Sequence, residues 1–374
     1  MWSADGRAVA AALTLGTLSI AVLLLLPGLV SALAQEYHFN DRELGLFSMT
    51  DLGGLTLGSL LGAQVLARVG VRRGAQWGLF VAAAANALSV AVLPSHSVLV
   101  LRFVAGLGAG LPVAACYWVL GRSRHIDRNF SIYVVCQGLF GAMALKLVPT
   151  LVQAIGVGGV FGALATLYVA ALILPGWFPT SGEVAATGAT RVGGVAWSGL
   201  AAIFVFFVAQ GALWGYLELI GLRAGVPPPS VESSVSLSVV IGMSGPFTAA
   251  VVGGRFGRLG PLIAGTVMTL IALLLLGSPL DPLRYAIAAC LFNIAWNFTI
   301  PYQLAVLADA DGSGKAVVWA APAALAGLAV GPSVAAVVLG GGGLEAVLWL
   351  CAALCVGSLI GLTPGMRRRL ATRL

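Results

Sequence analysis

Charged residues are scarce in this chain: Asp, Glu, Lys and Arg make up 9% of its 374 residues, and 59% are hydrophobic. Soluble globular domains carry about 25% charged residues. So few charges cannot cover a water-facing surface, which excludes a soluble globular protein and leaves lipid as the solvent. A net charge of +7 would suggest a nucleic-acid partner in a soluble protein. Here it comes from arginines in short loops, so no nucleic-acid partner is predicted.

Further absences narrow the kinds of chemistry that this chain could carry out. The five cysteines fall inside apolar runs without metal-ligand spacing, so neither a metal site nor a cofactor is predicted. The three histidines fall in loops, which excludes a histidine relay in the core. The phosphate-binding pattern G-x-x-x-x-G-K-[ST] does not occur, which disfavours ATP hydrolysis as an energy source. Because the sequence contains no His–acid or Cys–His constellation, the chain is not expected to be an enzyme.

Long apolar runs take the place of the missing polar surface. A helix of about 20 apolar residues crosses the hydrocarbon core of a bilayer, and these runs are too long, and alternate too little, to be strands. We therefore predict an all-α membrane protein. Its twelve transmembrane helices are expected at residues 8–33, 44–66, 75–93, 98–120, 129–153, 157–175, 196–220, 233–253, 260–277, 282–306, 316–338 and 345–363.

The basic residues support this helix count independently. If the amino terminus is cytoplasmic, fifteen of the twenty Lys and Arg residues fall on the cytoplasmic side. Arg42, Arg102, Arg223 and Arg284 fall on the other side, and Lys146 lies inside a helix. This is the bias of the positive-inside rule, and it predicts a multi-pass protein of the bacterial inner membrane with both termini cytoplasmic. A cleaved signal peptide is the alternative for the first helix, although its apolar run exceeds the usual core of roughly 7–15 residues.

One loop pattern occurs twice. Residues 68–73 read RVGVRR and residues 255–258 read RFGR, 187 positions apart, each in a short loop between two apolar runs. We therefore predict two six-helix bundles, at residues 1–180 and 196–374, joined by a cytoplasmic linker at 181–195. Fused membrane repeats are a transporter architecture, with the substrate site near the bilayer midplane.

This arrangement resembles the major facilitator superfamily, whose basic loop follows the second helix and again the eighth. The full loop pattern of the family is G-x-L-A-D-R-x-G-R-R. Both copies here lack its acid and have Ala67 and Gly254 in that place. The resemblance implies two pseudo-symmetric bundles and a loop motif that acts in conformational change. The motif residues retained here are Arg68, Gly70, Arg72, Arg73, Arg255, Gly257 and Arg258.

The resemblance further implies that the first, fourth, seventh and tenth helices line a central cavity. Polar and aromatic residues spaced three or four positions apart share a helix face there. The alternative is that the asparagines bond neighbouring helices and the tryptophans are ordinary packing. The predicted residues of a substrate site for a small organic solute are Gln210, Trp214, Asn293, Trp296, Asn297, Tyr117 and, as an attractor for a carboxylate, Lys146.

Ionisable residues inside membrane helices are functional candidates because burying an unpaired charge is costly. We predict that Asp51 or Glu218 couples solute movement to proton movement. The alternative for Asp51 is a static ion pair, with Lys146 or with another group. For Glu218 the alternative is a position among the lipid headgroups.

The leading hypothesis is a secondary active transporter, a symporter or antiporter, that works by alternating access. It is expected to act as a monomer, with a small-molecule substrate and membrane lipid as its partners. One alternative is an intramembrane enzyme, for which Asp309 and Asp311 are the best acidic pair. The other is a receptor or assembly factor on the same scaffold.

Overall fold

The computed structural model describes residues 6–93, 97–123, 126–178, 194–253, 255–277, 279–311 and 319–371. The chain divides into two compact units. Unit 1 comprises Met1–Phe39 and Leu46–Gly188, and unit 2 comprises Asn40–Gly45 and Ala189–Leu374. The predicted linker at 181–195 lies outside the described residues except for its last two, so the predicted bundle boundaries stay a prediction.

In the first half of the chain, short turns connect helices that make up nearly all of its described part. The first two helices form one membrane span, interrupted at Ile20. The helices are α1 Gly6–Ser19, α2 Ala21–Glu36, α3 Asp41–Val69, α4 Val71–Val92, α5 Val98–Leu120 and α6 Ile126–Ala171, followed by a short 3-10 helix, Leu174–Trp177.

The second half is also helical, but its interrupted span is the second and not the first. That span is built from two helices, which meet at Met243. The helices are α7 Gly194–Arg223, α8 Pro228–Gly242, α9 Ser244–Val252, α10 Leu259–Leu275, α11 Pro282–Asp311 and α12 Ala320–Ala371.

Nine helices of the described residues are long and apolar enough to cross a membrane, and α10 is a shorter apolar helix. Two of the nine are 46 and 45 residues long: Ile132–Trp177, which covers most of α6 and the 3-10 helix after it, and Ala320–Pro364 within α12. At 1.5 Å per residue such a helix measures about 68 Å, twice the roughly 30 Å hydrocarbon core. Non-helical backbone at Gly156 and Gly343 kinks each of them, so each accommodates two spans. The all-α membrane fold is confirmed, and its spans are consistent with the twelve predicted.

The backbone repeats with the same spacing as the loop pattern. Seven of the described residues have a positive φ, a conformation that is uncommon outside glycine. Six of them form three pairs 187 positions apart, namely His38 and Gly225, Gly70 and Gly257, and Gly156 and Gly343. The chain therefore turns in the same way at corresponding points of its two halves.

Helix α3 begins where its sequence provides a reciprocal cap. The side chain of Asn40 accepts a hydrogen bond from the Glu43 amide at 3.0 Å, and the Glu43 carboxylate accepts one from the Asn40 amide at 2.8 Å. Two of the amides that a helix start leaves unbonded are thereby satisfied. The cap fixes the register of α3 and therefore the position of Asp51 along it.

Helices α3 and α5 pack with their backbones in contact. A Cβ atom on Gly106 would collide with the carbonyl oxygen of Asp51, and one on Gly54 with that of Phe103. Small residues allow this close approach of membrane helices. It places Asp51 directly against α5.

We expect Gly106→Ala to destabilise the protein by about 1–3 kcal/mol, because the added methyl group must push α5 away from the α3 backbone. The measurement is the thermal unfolding midpoint of the purified protein in detergent. The matched control is Gly53→Ala in α3, where a Cβ would meet nothing within 4 Å. The control should unfold at or slightly above the native midpoint. Equal midpoints for both variants would contradict the backbone contact.

Candidate functional site

Helices α7 and α11 face each other in unit 2 along a stripe of aromatic and amide side chains. Residues three, four or seven positions apart share one helix face, and both stripes follow that spacing. We call this surface the α7–α11 seam. It consists of Phe207, Gln210 and Trp214 on α7 and Phe292, Trp296 and Gln303 on α11.

Trp296 is the centre of the seam. Its ring centroid lies 6.2 Å from that of Trp214 and 6.3 Å from that of Phe207, both in edge-to-face geometry. The Phe292 ring lies 5.7 Å away. Edge-to-face contact is a geometry that aromatic pairs prefer. The structure thus brings together the two tryptophans that the sequence singled out and forms an aromatic wall from them.

Three polar atoms of the seam are buried without a hydrogen-bond partner among the described residues: Gln210 Oε1, Trp296 Nε1 and Gln303 Oε1. Gln210 is 0% exposed and Gln303 is 2% exposed. The other amide atom of Gln210 has only a long contact, 3.8 Å from Nε2 to the sulfur of Cys355. Buried polar groups normally have partners, because leaving one unpaired costs about 1–3 kcal/mol. The seam therefore holds two acceptors and one donor that are enclosed by the surrounding side chains without a partner among the described residues.

The two predicted asparagines use their amides within unit 2. Asn293 is buried, and its Nδ2 donates to Ser238 Oγ on α8 at 2.9 Å. Asn297 Nδ2 donates to the backbone carbonyl of Asn293, also at 2.9 Å. The first bond holds α8 against α11. A role of either asparagine in solute binding stays a prediction.

In unit 1 an arginine is wholly enclosed by protein. Arg102 on α5 is 0% exposed. Its guanidinium donates to Asn86 Oδ1 at 3.1 Å and to Ser89 Oγ at 2.8 Å, both on α4. Asp51 Oδ2 on α3 lies 3.5 Å from Nη1, and the Phe161 ring of α6 lies 4.2 Å from the guanidinium carbon. We call these five residues the Asp51–Arg102 cluster.

This cluster shows where Arg102 lies and which residue pairs with Asp51. Arg102 lies in the second turn of α5 with no exposed surface, and its assignment to the outer half of the membrane stays a prediction. The ion pair of Asp51 is made with Arg102, whereas Lys146 is exposed on α6. The sequence held a signal for the burial of Arg102, since this residue lies four positions inside the predicted helix 98–120. No sequence signal distinguished Asn86 and Ser89, whose role depends on how α4 packs.

The counterpart of this cluster in unit 2 is neutral. Asp51 and Gly106 meet where α3 crosses α5. The residues 187 positions further, Ser238 and Asn293, meet where α8 crosses α11. The helix crossing is therefore repeated without the carboxylate. Since a buried ion pair is seldom more stabilising than neutral residues that fill the same space, packing alone does not require the charge on Asp51.

The remaining predicted residues have different environments. Glu218 on α7 is buried, 5% exposed, and so does not lie on the protein surface. Tyr117 on α5 is 48% exposed, with its ring 5.8 Å from that of Tyr133. Lys146 belongs to unit 1 and is exposed. Their parts in proton coupling and solute binding stay predictions.

The two copies of the loop motif share a backbone feature. Gly70 has φ 86° and by itself joins α3 to α4, and Gly257 has φ 68°. In the second copy, Arg258 Nε lies 3.4 Å from Asp309 Oδ2 at the end of α11. One of the two acids that favoured an enzyme thus forms an ion pair with the loop motif.

Comparison with known proteins identifies a family whose model matches this chain and solved structures that have a similar fold. The family model described as Major Facilitator Superfamily matches residues 9–317. The solved structures similar to this chain include two transporters, and at their low sequence identities the likeness concerns the fold. The nucleoside transporter NupG has a TM-score of 0.75 at 12% identity, covering 96% of this chain and 99% of its own. The xylose transporter XylE from E. coli, partially occluded and inward open, has 0.70 at 14%, covering 95% and 97%. No curated protein matches the sequence.

Removing one charge of the cluster should destabilise the protein more than removing both. We expect Asp51→Asn to cost about 3–5 kcal/mol, because Arg102 is left as an unpaired buried charge. Adding Arg102→Gln should recover part of that loss in the double variant. The free energies of unfolding in detergent measure both effects.

An exposed ion pair provides the control for this experiment. Arg223 lies 2.6 Å from Asp41, and its side chain is 47% exposed. Arg223→Gln should cost less than about 1 kcal/mol, as is usual for exposed pairs. Losses that simply add in the buried double variant would contradict the interaction between Asp51 and Arg102.

Proposed function

Because the chain belongs to the Major Facilitator Superfamily, we propose that it is a secondary active transporter that moves a small organic solute by alternating access, coupled to protons. It is an integral, multi-pass membrane protein. We place both termini in the cytoplasm and the chain in a bacterial inner membrane.

The observation that carries the proton coupling is the buried carboxylate of Asp51. The corresponding crossing in unit 2 is made by Ser238 and Asn293, without a charge. A buried charge that packing does not require is costly to keep. Its retention in unit 1 is accounted for by a function that needs a group able to gain and lose a proton.

The hydrogen bonds of Arg102 suit such a change of protonation. Its bonds to Asn86 and Ser89, 3.1 and 2.8 Å, are shorter than its 3.5 Å approach to Asp51. If Asp51 takes up a proton, the guanidinium keeps both bonds to α4 and loses only its attraction to α3. Proton uptake therefore weakens one helix contact and leaves the other in place. A difference of this kind between two states is what lets a bound proton shift a conformational equilibrium.

We assign the solute to the α7–α11 seam. The edge-to-face pair of Trp214 and Trp296 provides a wall for the flat part of a solute. The buried amide oxygen of Gln210 accepts a hydrogen bond from it. Gln210, Trp214 and Trp296, three of the residues predicted on α7 and α11, would thus act on one ligand.

The coupling is tested in proteoliposomes with radiolabelled uridine and xylose, chosen after the nucleoside and xylose transporters of similar fold. Making the inside alkaline should change the rate of uptake, accelerating it in a symporter and slowing it in an antiporter. Asp51→Asn, Glu218→Gln or both should remove this effect while exchange without a gradient continues. Asp281→Asn is the control, because Asp281 only caps the start of α11 and asparagine also caps helices. Unchanged pH dependence in both Asp51→Asn and Glu218→Gln would end the proposal of proton coupling.

The solute site gives a second prediction. Gln210→Leu should raise the half-saturating solute concentration about fivefold, the equivalent of one neutral hydrogen bond. Gln64→Leu, at an exposed position on α3, should leave it unchanged. Concentration-dependent uptake in the same proteoliposomes measures both. A Gln210→Leu variant that saturates like the native protein would exclude Gln210 from the solute site.

A further inference from the structure

A groove of about 390 Å³ lies on the surface of unit 1, along the first turns of α4. Ligand pockets have volumes of about 300–1,000 Å³, so the groove is large enough for a bound molecule. Its side chains are accessible to an occupant: Arg73 is exposed, Trp77 is 62% exposed and Phe80 is 55% exposed. The described lining consists of Arg73, Gln76, Trp77 and Phe80 of α4 and of Leu172, directly after α6.

The groove is polar at one end and apolar at the other. Helix α4 is a membrane span that begins at Val71, so Arg73 in its first turn lies at the depth of the lipid headgroups. Phe80 lies seven residues further, about 10 Å deeper at 1.5 Å per residue. Trp77 lies between them, and its ring contacts that of Phe80 edge to face, with the centroids 6.2 Å apart. An occupant therefore meets a cation and an amide at headgroup depth and aromatic rings at the depth of the acyl chains.

The corresponding surface of unit 2 has no polar end. The α4 residues that line the groove correspond, 187 positions further, to Gly260, Ile263, Ala264 and Val267 of α10. Ile263 and Val267 are 43% and 45% exposed, so this face is on the surface as well. A helix face that meets only hydrocarbon needs neither a charge nor an amide, as α10 shows. The difference indicates that the face of α4 meets a ligand with a polar head.

The polar end of the groove selects the charge of that head. The planar guanidinium of Arg73 matches the geometry of a phosphate group, and the Gln76 amide is a second donor. No acidic residue occurs in the described lining, so a cationic headgroup finds no counter-charge there. Basic pockets at the ends of membrane helices bind anionic lipid headgroups. A free phosphate would use only this end and would leave the aromatic rings uncovered.

We propose that this groove binds one anionic phospholipid, with its phosphate on Arg73 and Gln76 and an acyl chain along Trp77, Phe80 and Leu172. The inference goes beyond the proposed transport function and does not depend on it. It specifies where on the chain a membrane lipid binds and which charge that lipid carries.

The test compares dioleoyl phosphatidylglycerol with dioleoyl phosphatidylcholine, which have the same acyl chains but differ in net charge. Equal amounts of both are added to the purified, delipidated full-length protein in detergent, and the bound lipids are counted by native mass spectrometry. The native protein should retain phosphatidylglycerol about fivefold more than phosphatidylcholine, the effect of one basic side chain on an anionic lipid. Arg73→Gln should bring this ratio close to one. Trp77→Ala should reduce the retention of both lipids by a similar factor, because it removes a wall of the acyl-chain end.

Each variant has a matched control. Arg255→Gln removes the same charge from an exposed arginine in the other copy of the loop motif and should keep the fivefold preference. Trp349→Ala removes a tryptophan that is 69% exposed on α12 and should leave the retention of both lipids unchanged. An excess of glycerol phosphate, which has the anionic head without the chains, should not displace the bound lipid.

Equal retention of the two lipids by the native protein would overturn the inference, as would a preference that survives in Arg73→Gln. A preference that falls equally in Arg255→Gln would show attraction to the overall charge of the protein in place of a site. Unchanged retention in Trp77→Ala, or displacement by glycerol phosphate, would exclude the acyl-chain end of the groove. The measurement uses neither a solute nor a gradient, so its outcome is independent of the transport experiments.

Discussion

Lipid cannot supply hydrogen bonds, and this constraint determines where every polar group of the chain lies. Within the bilayer core each backbone amide must be satisfied by the protein itself, which favours helices. The same constraint acts on side chains. Arg102 is tolerated in the interior because helices α3 and α4 surround its guanidinium with a carboxylate, an amide and a hydroxyl. The constraint is not met everywhere: Arg102 Nε and the amide oxygens of Gln210 and Gln303 are buried without a partner among the described residues, at a cost of about 1–3 kcal/mol for each such group.

Internal duplication supplies a reference for deciding which polar residues serve function. The turns at Gly156 and Gly343 have φ of 69° and lie 187 positions apart, so the halves can be compared position by position. At one such position unit 1 has Asp51 and unit 2 has Ser238. Both are buried at helix crossings of the same kind, yet only one carries a charge. Stability alone favours uncharged residues at such a crossing. The charge on Asp51 is therefore a specialisation of unit 1.

The sequence predicted the helices and singled out three residues of the seam, because both inferences depend on local pattern. Apolar runs identify spans, and the spacing of Gln210, Trp214 and Trp296 identifies helix faces. The partner of Asp51 was missed because a charge count assumes that arginines near helix ends lie in loops. Arg102 departs from that assumption through packing between α3, α4 and α6, which no single stretch of sequence encodes. The unpaired oxygen of Gln303 is beyond sequence for the same reason, since it depends on which side chains the neighbouring helices place around it.

The two polar sites belong to different units, and this limits how they communicate. The Asp51–Arg102 cluster is built wholly from unit 1 and the α7–α11 seam wholly from unit 2. Among the residues that the structure describes, the two sites have no side chain in common, so in the proposed mechanism a proton on Asp51 does not act on the solute through a shared residue. The proposal then requires a common conformational equilibrium that each ligand biases by binding one state more tightly. Under that proposal proton and solute need only respond to the same motion, and either site could change its chemistry while the other keeps its own.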